Sequence, residues 1–534
     1  MSAEAPTDPG PPHPLAQPAL QVLVLLGVCA LVYWLGLGTG GFHSTEAHRA
    51  IPAYEMLDHA RGLDDWLVPR MFEQPYLRKP PGMPWAIALA SALLGETVFA
   101  ARAVSALACT AMALLAFCFA RRWFGPRAAL PSGLACALMP VLWESGRAAE
   151  IEALNNLGTM LAALFLIDAL VFARSMRTKA MSAIIASLGI VWFALAKGPA
   201  SAPVVLGIVA VVCVQRRSLR PLGGALWVTL VPALVVVGAL FWLIARAASV
   251  QPQPPVTQSP SAFMFEPGML VGVLTLPFAA FGSMLPASFA LLFPWGPDAR
   301  TEANRDHPDW TPDRFSLART LALAWLLAVL VFMLFGVRNP RYTLPAACLL
   351  PPLAGAYLSG LGSWLVPTRN RIARVLTLGR PAVLVLALLI GAFVYVRTIE
   401  ANRRATSATP VGAHIADALG PFLGTTDRPV TVIADDAIEA RPELLLALER
   451  SARAAGHDLR VRWIPGFGGE LPADLPDGPV LALLRVDPES PEAGIPERSA
   501  PWFQPPAGLK DPGPWRFHKY SAGIYLISLD PFAD

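Results

Sequence analysis

The chain has 534 residues, of which 54% are hydrophobic and only 15% are charged, with a net charge of +4. Soluble domains carry about 25% charged residues, so an ordinary water-soluble core is excluded, and so small a net charge gives no nucleic-acid signature. A mean hydropathy of +0.49 and recurring apolar runs of about twenty residues describe a polytopic membrane protein instead.

Residues 1–17 contain no Lys or Arg. They lack the basic start of a cleavable signal peptide and read as a disordered tail. Eleven spanning helices follow, at 18–38, 98–120, 128–144, 154–173, 181–196, 199–215, 221–245, 270–293, 316–336, 342–364 and 381–397. The segment at 270–293 holds Pro277 and Pro286 and reads as a broken helix. The apolar segment 82–96 is too short to span and reads as interfacial or re-entrant.

Basic residues orient the chain. With a cytoplasmic N-terminus, one set of loops holds Arg121, Arg122 and Arg127, then Arg174, Arg177 and Lys179, then Arg216, Arg217 and Arg220. The same side collects Arg300, Arg305 and Arg314, and Arg369 to Arg380. Short cytoplasmic loops are enriched in Lys and Arg, which supports this parity. Residues 39–97 then form a large extracytoplasmic loop, and so does the tail, 398–534, whose composition is that of a soluble domain. Strand-like runs at Val430–Ala434, Leu459–Ile464, Val480–Val486 and Gly523–Leu529, with a helical stretch at Pro442–Ala455, suggest a small α/β domain. Segment 250–260 is a Pro/Gln-rich loop. All six cysteines lie in apolar segments, where Cys acts as a small core residue, so neither disulfides nor a Cys metal site is expected.

This topology gathers four charged segments at one membrane face. Glu46 stands at the outer end of the first span, and the same loop carries Tyr76, Arg78 and Lys79 before Pro80-Pro81. Glu150 and Glu152 lie at the outer end of the third span, two residues apart, so on a helix only one of them would face a shared cavity. Lys197 is a lone charge between two apolar runs, and Arg338, Arg341 and Tyr342 mark another outer helix end. Charges at such boundaries also arise as snorkelling residues or interfacial ion pairs. Together, however, cations that can hold a phosphate and carboxylates that can take a proton suit glycosyl transfer from a lipid phosphate.

At these residues the sequence resembles the GT-C lipid-linked glycosyltransferases, most of all the bacterial aminoarabinose (lipid A) transferases, with the protein O-mannosyltransferases more distant. Thr45-Glu46, His48-Arg49-Ala50, Glu55-Met56-Leu57, Asp65-Trp66-Leu67-Val68-Pro69 and Tyr76-Leu77-Arg78-Lys79-Pro80 follow the order of that group's first loop. Lys197-Gly198 and Arg341-Tyr342 match two later motifs. The resemblance implies a helical GT-C membrane domain at 18–397, mainly α, with 39–97 as its catalytic loop and 398–534 as a distal α/β domain. It implies that Lys79 and Arg341 hold the lipid phosphate, with Tyr76, Arg78, Lys197 and Tyr342 beside them. Glu46 and Glu152 would be the catalytic carboxylates.

Two positions depart from the group. Its first acidic residue is replaced by Thr45, which cannot ionise, and Arg78 stands where the group has an acid. The expected partners are a polyprenyl-phosphate-linked sugar donor, a glycolipid or protein acceptor, and membrane lipids, with no nucleic acid. The expected location is the bacterial inner membrane. The one candidate cofactor is a divalent metal cation, with Glu46, His48 and Glu152 as candidate ligands. A transporter or flippase for lipid-linked anions would use the same cations without a base, but such proteins carry internal repeats and none is visible here. A non-catalytic assembly protein acting through the tail is the third reading.

Overall fold

Apolar helices that pack closely in a membrane do so through small residues, and two glycines do this in one antiparallel helix pair. Ile151–Ile167 and Met176–Lys197 pack along their length. A Cβ on Gly189 would lie 2.5 Å from the Ala162 backbone nitrogen, and one on Gly158 2.8 Å from that of Phe193. Close backbone approach through small residues is the usual source of helix association in lipid, where no hydrophobic force joins the helices. Gly189→Val is expected to push the pair apart and destabilise the protein by about 1–3 kcal/mol. A thermal melt in detergent checks this, and an unchanged melting temperature would contradict it.

The computed structural model describes residues 17–60, 62–72, 74–249, 267–292, 312–334, 340–364, 388–404, 413, 416–417, 430–434, 442–463, 480–486, 503–504 and 523–529. The tail at 1–16, the Pro/Gln-rich loop 250–260, Arg300, Arg305, Arg338 and the basic residues at 369–380 lie outside them. The chain divides into two compact units. The first comprises Met1–Leu35, Ser105–Ala239 and Phe263–Val396, and the second Gly36–Val104, Leu240–Ala262 and Arg397–Asp534.

Five helical stretches among the described residues are long and apolar enough to cross a membrane: Val98–Phe124, Ile151–Phe172, Met176–Arg216, Arg220–Ser249 and Arg314–Leu334. The chain is a multi-pass membrane protein. Its helices are more broken than the hydropathy pattern suggests. The segment at 128–144 divides into Pro126–Ala137 and Pro140–Arg147, because Pro140 has no N–H to continue the ladder. Near 270–293 the helix Pro267–Ser283 stops and a 3-10 turn, Ala287–Leu292, follows. Met176–Arg216 is interrupted after Lys197, where Gly198 adopts φ +71°, a backbone state open to glycine at little cost.

In the second unit, Ala47–His59 packs against Gly82–Leu94. Thirteen residues rise only about 20 Å, short of the hydrocarbon thickness, as the interfacial reading of 82–96 requires. A small antiparallel hairpin, β1 (Arg70–Met71) and β2 (Gln74–Pro75), precedes it. Phe72 sits at its turn with φ +51°, and its N–H donates to the Glu55 carboxylate.

The tail holds a five-stranded mixed sheet, with β3 (Val430–Ala434), β4 (Leu459–Trp463), β5 (Val480–Val486), β6 (Phe503–Gln504) and β7 (Gly523–Leu529) in the order β4-β3-β5-β7-β6. β3 is parallel to β4 and β5, and β7 is antiparallel to β5 and β6. Parallel strands need a crossover, and Pro442–Ala454 supplies it between β3 and β4. That helix also meets the first loop. Arg450 pairs with Glu96 at 3.3 Å and lies 4.6 Å from the Tyr54 ring centre. Burial holds the Tyr54 phenol up at about 12, so it stays a neutral donor.

Candidate active site

The first unit builds a charged cluster from three helix ends. Glu150 and Glu152 open the helix Ile151–Ile167, where the positive end of the helix dipole favours carboxylates. Lys197 closes Met176–Lys197, where the dipole favours a cation. The antiparallel packing of these two helices therefore sets Lys197 beside Glu152, with Nζ 3.2 Å from Oε1. Arg341 enters from the turn Pro340–Thr343. Its Nη2 lies 3.0 Å from Glu152 Oε2 and 3.3 Å from Glu150 Oε2, so one guanidinium joins both carboxylates. Lys197 Nζ also sits 4.7 Å from the centre of the Tyr342 ring, a cation–π distance. Glu150 and Glu152 are buried and Lys197 is half-buried, while the Arg341 side chain stays 38% exposed. The cluster thus presents a partly open guanidinium over a floor of two carboxylates and one ammonium, and the guanidinium completes the charge balance.

Below Glu152 the same helix face continues as a polar stripe. Thr159 Oγ1 lies 2.6 Å from Ser201 Oγ, and the Ser201 hydroxyl donates to Asn155 Oδ1 at 3.2 Å. Asn155 Nδ2 in turn reaches Asn156 Oδ1 at 3.4 Å.

The second unit holds the residues of the first loop. Glu46 is 1% exposed and Arg102 is fully buried. Arg102 Nε and Nη2 each donate to Glu46 at 2.7 Å, one to each carboxylate oxygen. The remaining Arg102 donors go to the carbonyls of Leu37, Thr39 and Gly41, and Glu46 Oε2 also accepts the His43 N–H. This pair ties the loop after the first helix onto Val98–Phe124. Tyr76 is buried, with its hydroxyl accepting from Arg49 at 2.9 Å and its ring 6.1 Å from His48. Arg78 and Lys79 are exposed, as is Thr45.

Glu150, Glu152, Lys197, Arg341 and Tyr342 therefore gather in the first unit, while Glu46, His48, Tyr76, Arg78 and Lys79 belong to the second. Charge patterning on the loops passed over the buried Arg102 and Asp168 and read Arg147 only as a charge beside an outer helix end. Arg102 organises the Glu46 turn. Arg147 donates to the carbonyls of Val32 and Leu35, where the first helix ends. Asp168 accepts from Arg122, Trp123 and Ser182. Each is a single charge in or beside an apolar run, and that is the available signal.

The geometry does not fit the divalent-cation candidate. Both Glu46 oxygens already face a guanidinium, and both Glu152 oxygens face Lys197 or Arg341. Among the described residues no three His, Cys, Asp or Glu side chains form a ligand set.

Comparison with known proteins agrees with the motifs. The family model for dolichyl-phosphate-mannose-protein mannosyltransferase matches residues 78–245. Undecaprenyl phosphate-alpha-4-amino-4-deoxy-L-arabinose arabinosyl transferase of Pseudomonas savastanoi pv. phaseolicola is 32% identical over 112 residues, covering 21% of this chain and 20% of its own length. A second such transferase, from Pseudomonas fluorescens, is 35% identical over 118 residues, covering 22% and 20%. The chain thus aligns with about a fifth of the length of these curated relatives. The fold match is far wider. The apo crystal structure of ArnT from Cupriavidus metallidurans superposes with a TM-score of 0.64 at 16% identity, covering 96% of this chain and 98% of that one. The structure of the same protein bound to undecaprenyl phosphate gives 0.60. The fold is that of the ArnT structures. Over part of its length the chain is similar in sequence to the aminoarabinose transferases.

Proposed function

We propose that the protein transfers a sugar from a polyprenyl-phosphate carrier to an acceptor hydroxyl or amine at the extracytoplasmic face of a bacterial inner membrane. The observation that carries this reading is the Glu150–Glu152–Arg341–Lys197 cluster: an accessible guanidinium held over a buried carboxylate at the ends of membrane helices. Eleven spans, a cytoplasmic N-terminus and an extracytoplasmic α/β tail complete the proposed topology.

In this reading the donor phosphate draws Arg341 and Lys197 onto its oxygens. The Glu152 carboxylate is then released to take the acceptor proton. The acceptor oxygen or nitrogen attacks the anomeric carbon, the bond from that carbon to the phosphate oxygen breaks, and the anionic carrier leaves against the two cations. Configuration at the anomeric carbon inverts. Charge-assisted contacts to the leaving oxygen are the largest lever such a site has. By the motif resemblance alone, Tyr76, Arg78 and Lys79 of the second unit and Tyr342 of the first are assigned to donor binding. Glu46 is assigned a positioning role, since Arg102 occupies both of its oxygens. The acceptor is a lipid A-like lipid, a glycan or a protein, and a 4-amino-4-deoxy-arabinose donor is the first to test, by analogy with the relatives.

The assay is transfer from an undecaprenyl-phosphate-linked sugar to lipid A by the full chain in proteoliposomes, followed by mass spectrometry. Arg341→Ala is expected to raise the donor KM about 10- to 100-fold, the worth of one hydrogen-bonded charge contact. An unchanged donor KM would remove Arg341 from the phosphate site. Movement of the carrier lipid across the bilayer with no transfer to any acceptor would replace the proposal by a flippase.

A further inference from the structure

A groove between two membrane helices lies in the first unit, apart from the residues of the charged cluster. Ala202–Arg216 and Pro312–Leu334 run antiparallel in contact, with Gly207 facing Ala324 and Leu327 and Gln215 facing Thr320. The groove between them has a volume of about 800 Å³. Its wall includes the apolar side chains of Val214, Leu326 and Leu330, all of them exposed. It also includes Arg217, Arg319 and Gln215. Thr320 Oγ1 donates to Gln215 Oε1 at 2.9 Å, and the other end of that amide, Nε2, is buried. It has no hydrogen-bond partner among the described residues.

Arg217 supplies an independent sign. It caps its helix in the left-handed region at φ +48°. Glycine is the usual residue there, and a side chain adds a strain of about 1–2 kcal/mol. The preceding Arg216 already complements the helix dipole. Strain kept at a non-glycine residue points to a use for its side chain.

We propose that this groove binds an anionic glycerophospholipid, its phosphate held by Arg217 and Arg319 and its acyl chains laid along Val214, Leu326 and Leu330. Basic pockets between membrane helices on the cytoplasmic side are suited to such headgroups. The groove lies at the Arg216–Arg220 end of its helix, which is the cytoplasmic end under the positive-inside reading. This site is distinct from the proposed donor site, and its occupant is a structural or regulatory lipid rather than a substrate.

The test reconstitutes the full chain in nanodiscs of equal phosphatidylglycerol and phosphatidylcholine, extracts it, and counts retained lipids by native mass spectrometry. The wild type is expected to retain phosphatidylglycerol preferentially. Arg217→Gly relieves the backbone strain while removing the charge, so it should keep or raise the melting temperature and lower the preference about fivefold. Adding Arg319→Gln should lower it about 25-fold in all. Arg216→Ala and Arg220→Ala, outside the groove lining, should leave it unchanged. Leu327→Trp, which fills the groove, should displace the lipid with both arginines in place. Equal retention of the two lipids by the wild type would overturn the proposal. So would loss of preference from Arg216→Ala or Arg220→Ala to the same degree as from Arg217→Gly, which would reveal a diffuse surface charge. Undecaprenyl phosphate outcompeting phosphatidylglycerol in an Arg217-dependent way would overturn it too, by making the groove a carrier site.

Discussion

Glu152→Gln is expected to lower the transfer rate by about 100- to 10,000-fold, the range attributed to one general base. The amide keeps the size of the carboxylate and can still accept from Lys197 across the 3.2 Å contact, but it cannot take the acceptor proton. Expression and donor binding should therefore change much less than kcat. Glu150→Gln is the matched control. Glu150 contacts Arg341 at 3.3 Å, so its loss should act mainly on donor KM through a loosened Arg341. A single-turnover assay with saturating donor separates the two effects. If Glu150→Gln lost the rate and Glu152→Gln did not, the base would be Glu150. If neither variant lost the rate, neither carboxylate of the cluster would be the base.

Glu46→Ala should do its damage before chemistry begins. The carboxylate is held at two points by Arg102, itself fully buried. Removing one partner leaves an uncompensated buried guanidinium, and such breaks cost about 3–5 kcal/mol. The same removal frees the turn whose carbonyls at Leu37, Thr39 and Gly41 converge on Arg102. The expected result is a large drop in melting temperature and poor yield from membranes. Glu46→Ala combined with Arg102→Leu should recover part of that loss, because replacing both charges avoids the unpaired one. Transfer activity of the stabilised double variant then separates positioning from chemistry. Appreciable transfer would support the positioning assignment. A folded double variant with no transfer at all would return Glu46 to the chemistry.

These two expectations differ because the same residue type sits in two environments, and that difference is not visible in the chain's order of residues. Thr45-Glu46 reads as a displaced catalytic acid when only motif spacing is considered. In the fold, Thr45 faces outward and Glu46 inward, and a partner 56 positions further on takes both oxygens. The choice between Glu150 and Glu152 follows the same logic. Two residues apart on a helix they point different ways, and Arg341 nonetheless reaches both because it enters from a separate turn.

Hydropathy, proline placement and basic loops are local properties, and they were enough to identify a multi-pass membrane protein. They also placed the short helix at 82–96, the strands at 430–434 and 480–486, and the helix that starts at Pro442. The ordered motifs from Thr45 to Pro80 were enough to name the glycosyltransferase class it resembles. Tertiary structure decided the charge pairing. Lys197 meets Glu152 because two helices pack antiparallel through Gly158 and Gly189, and Arg102 meets Glu46 because a turn folds back on a neighbouring helix. The physical reason is range. A hydropathy run is set by neighbours along the chain. The partner of a buried charge is set by which distant helix can approach within about 3 Å, and any arrangement that leaves such a charge unpaired in a low-dielectric interior is too costly to persist.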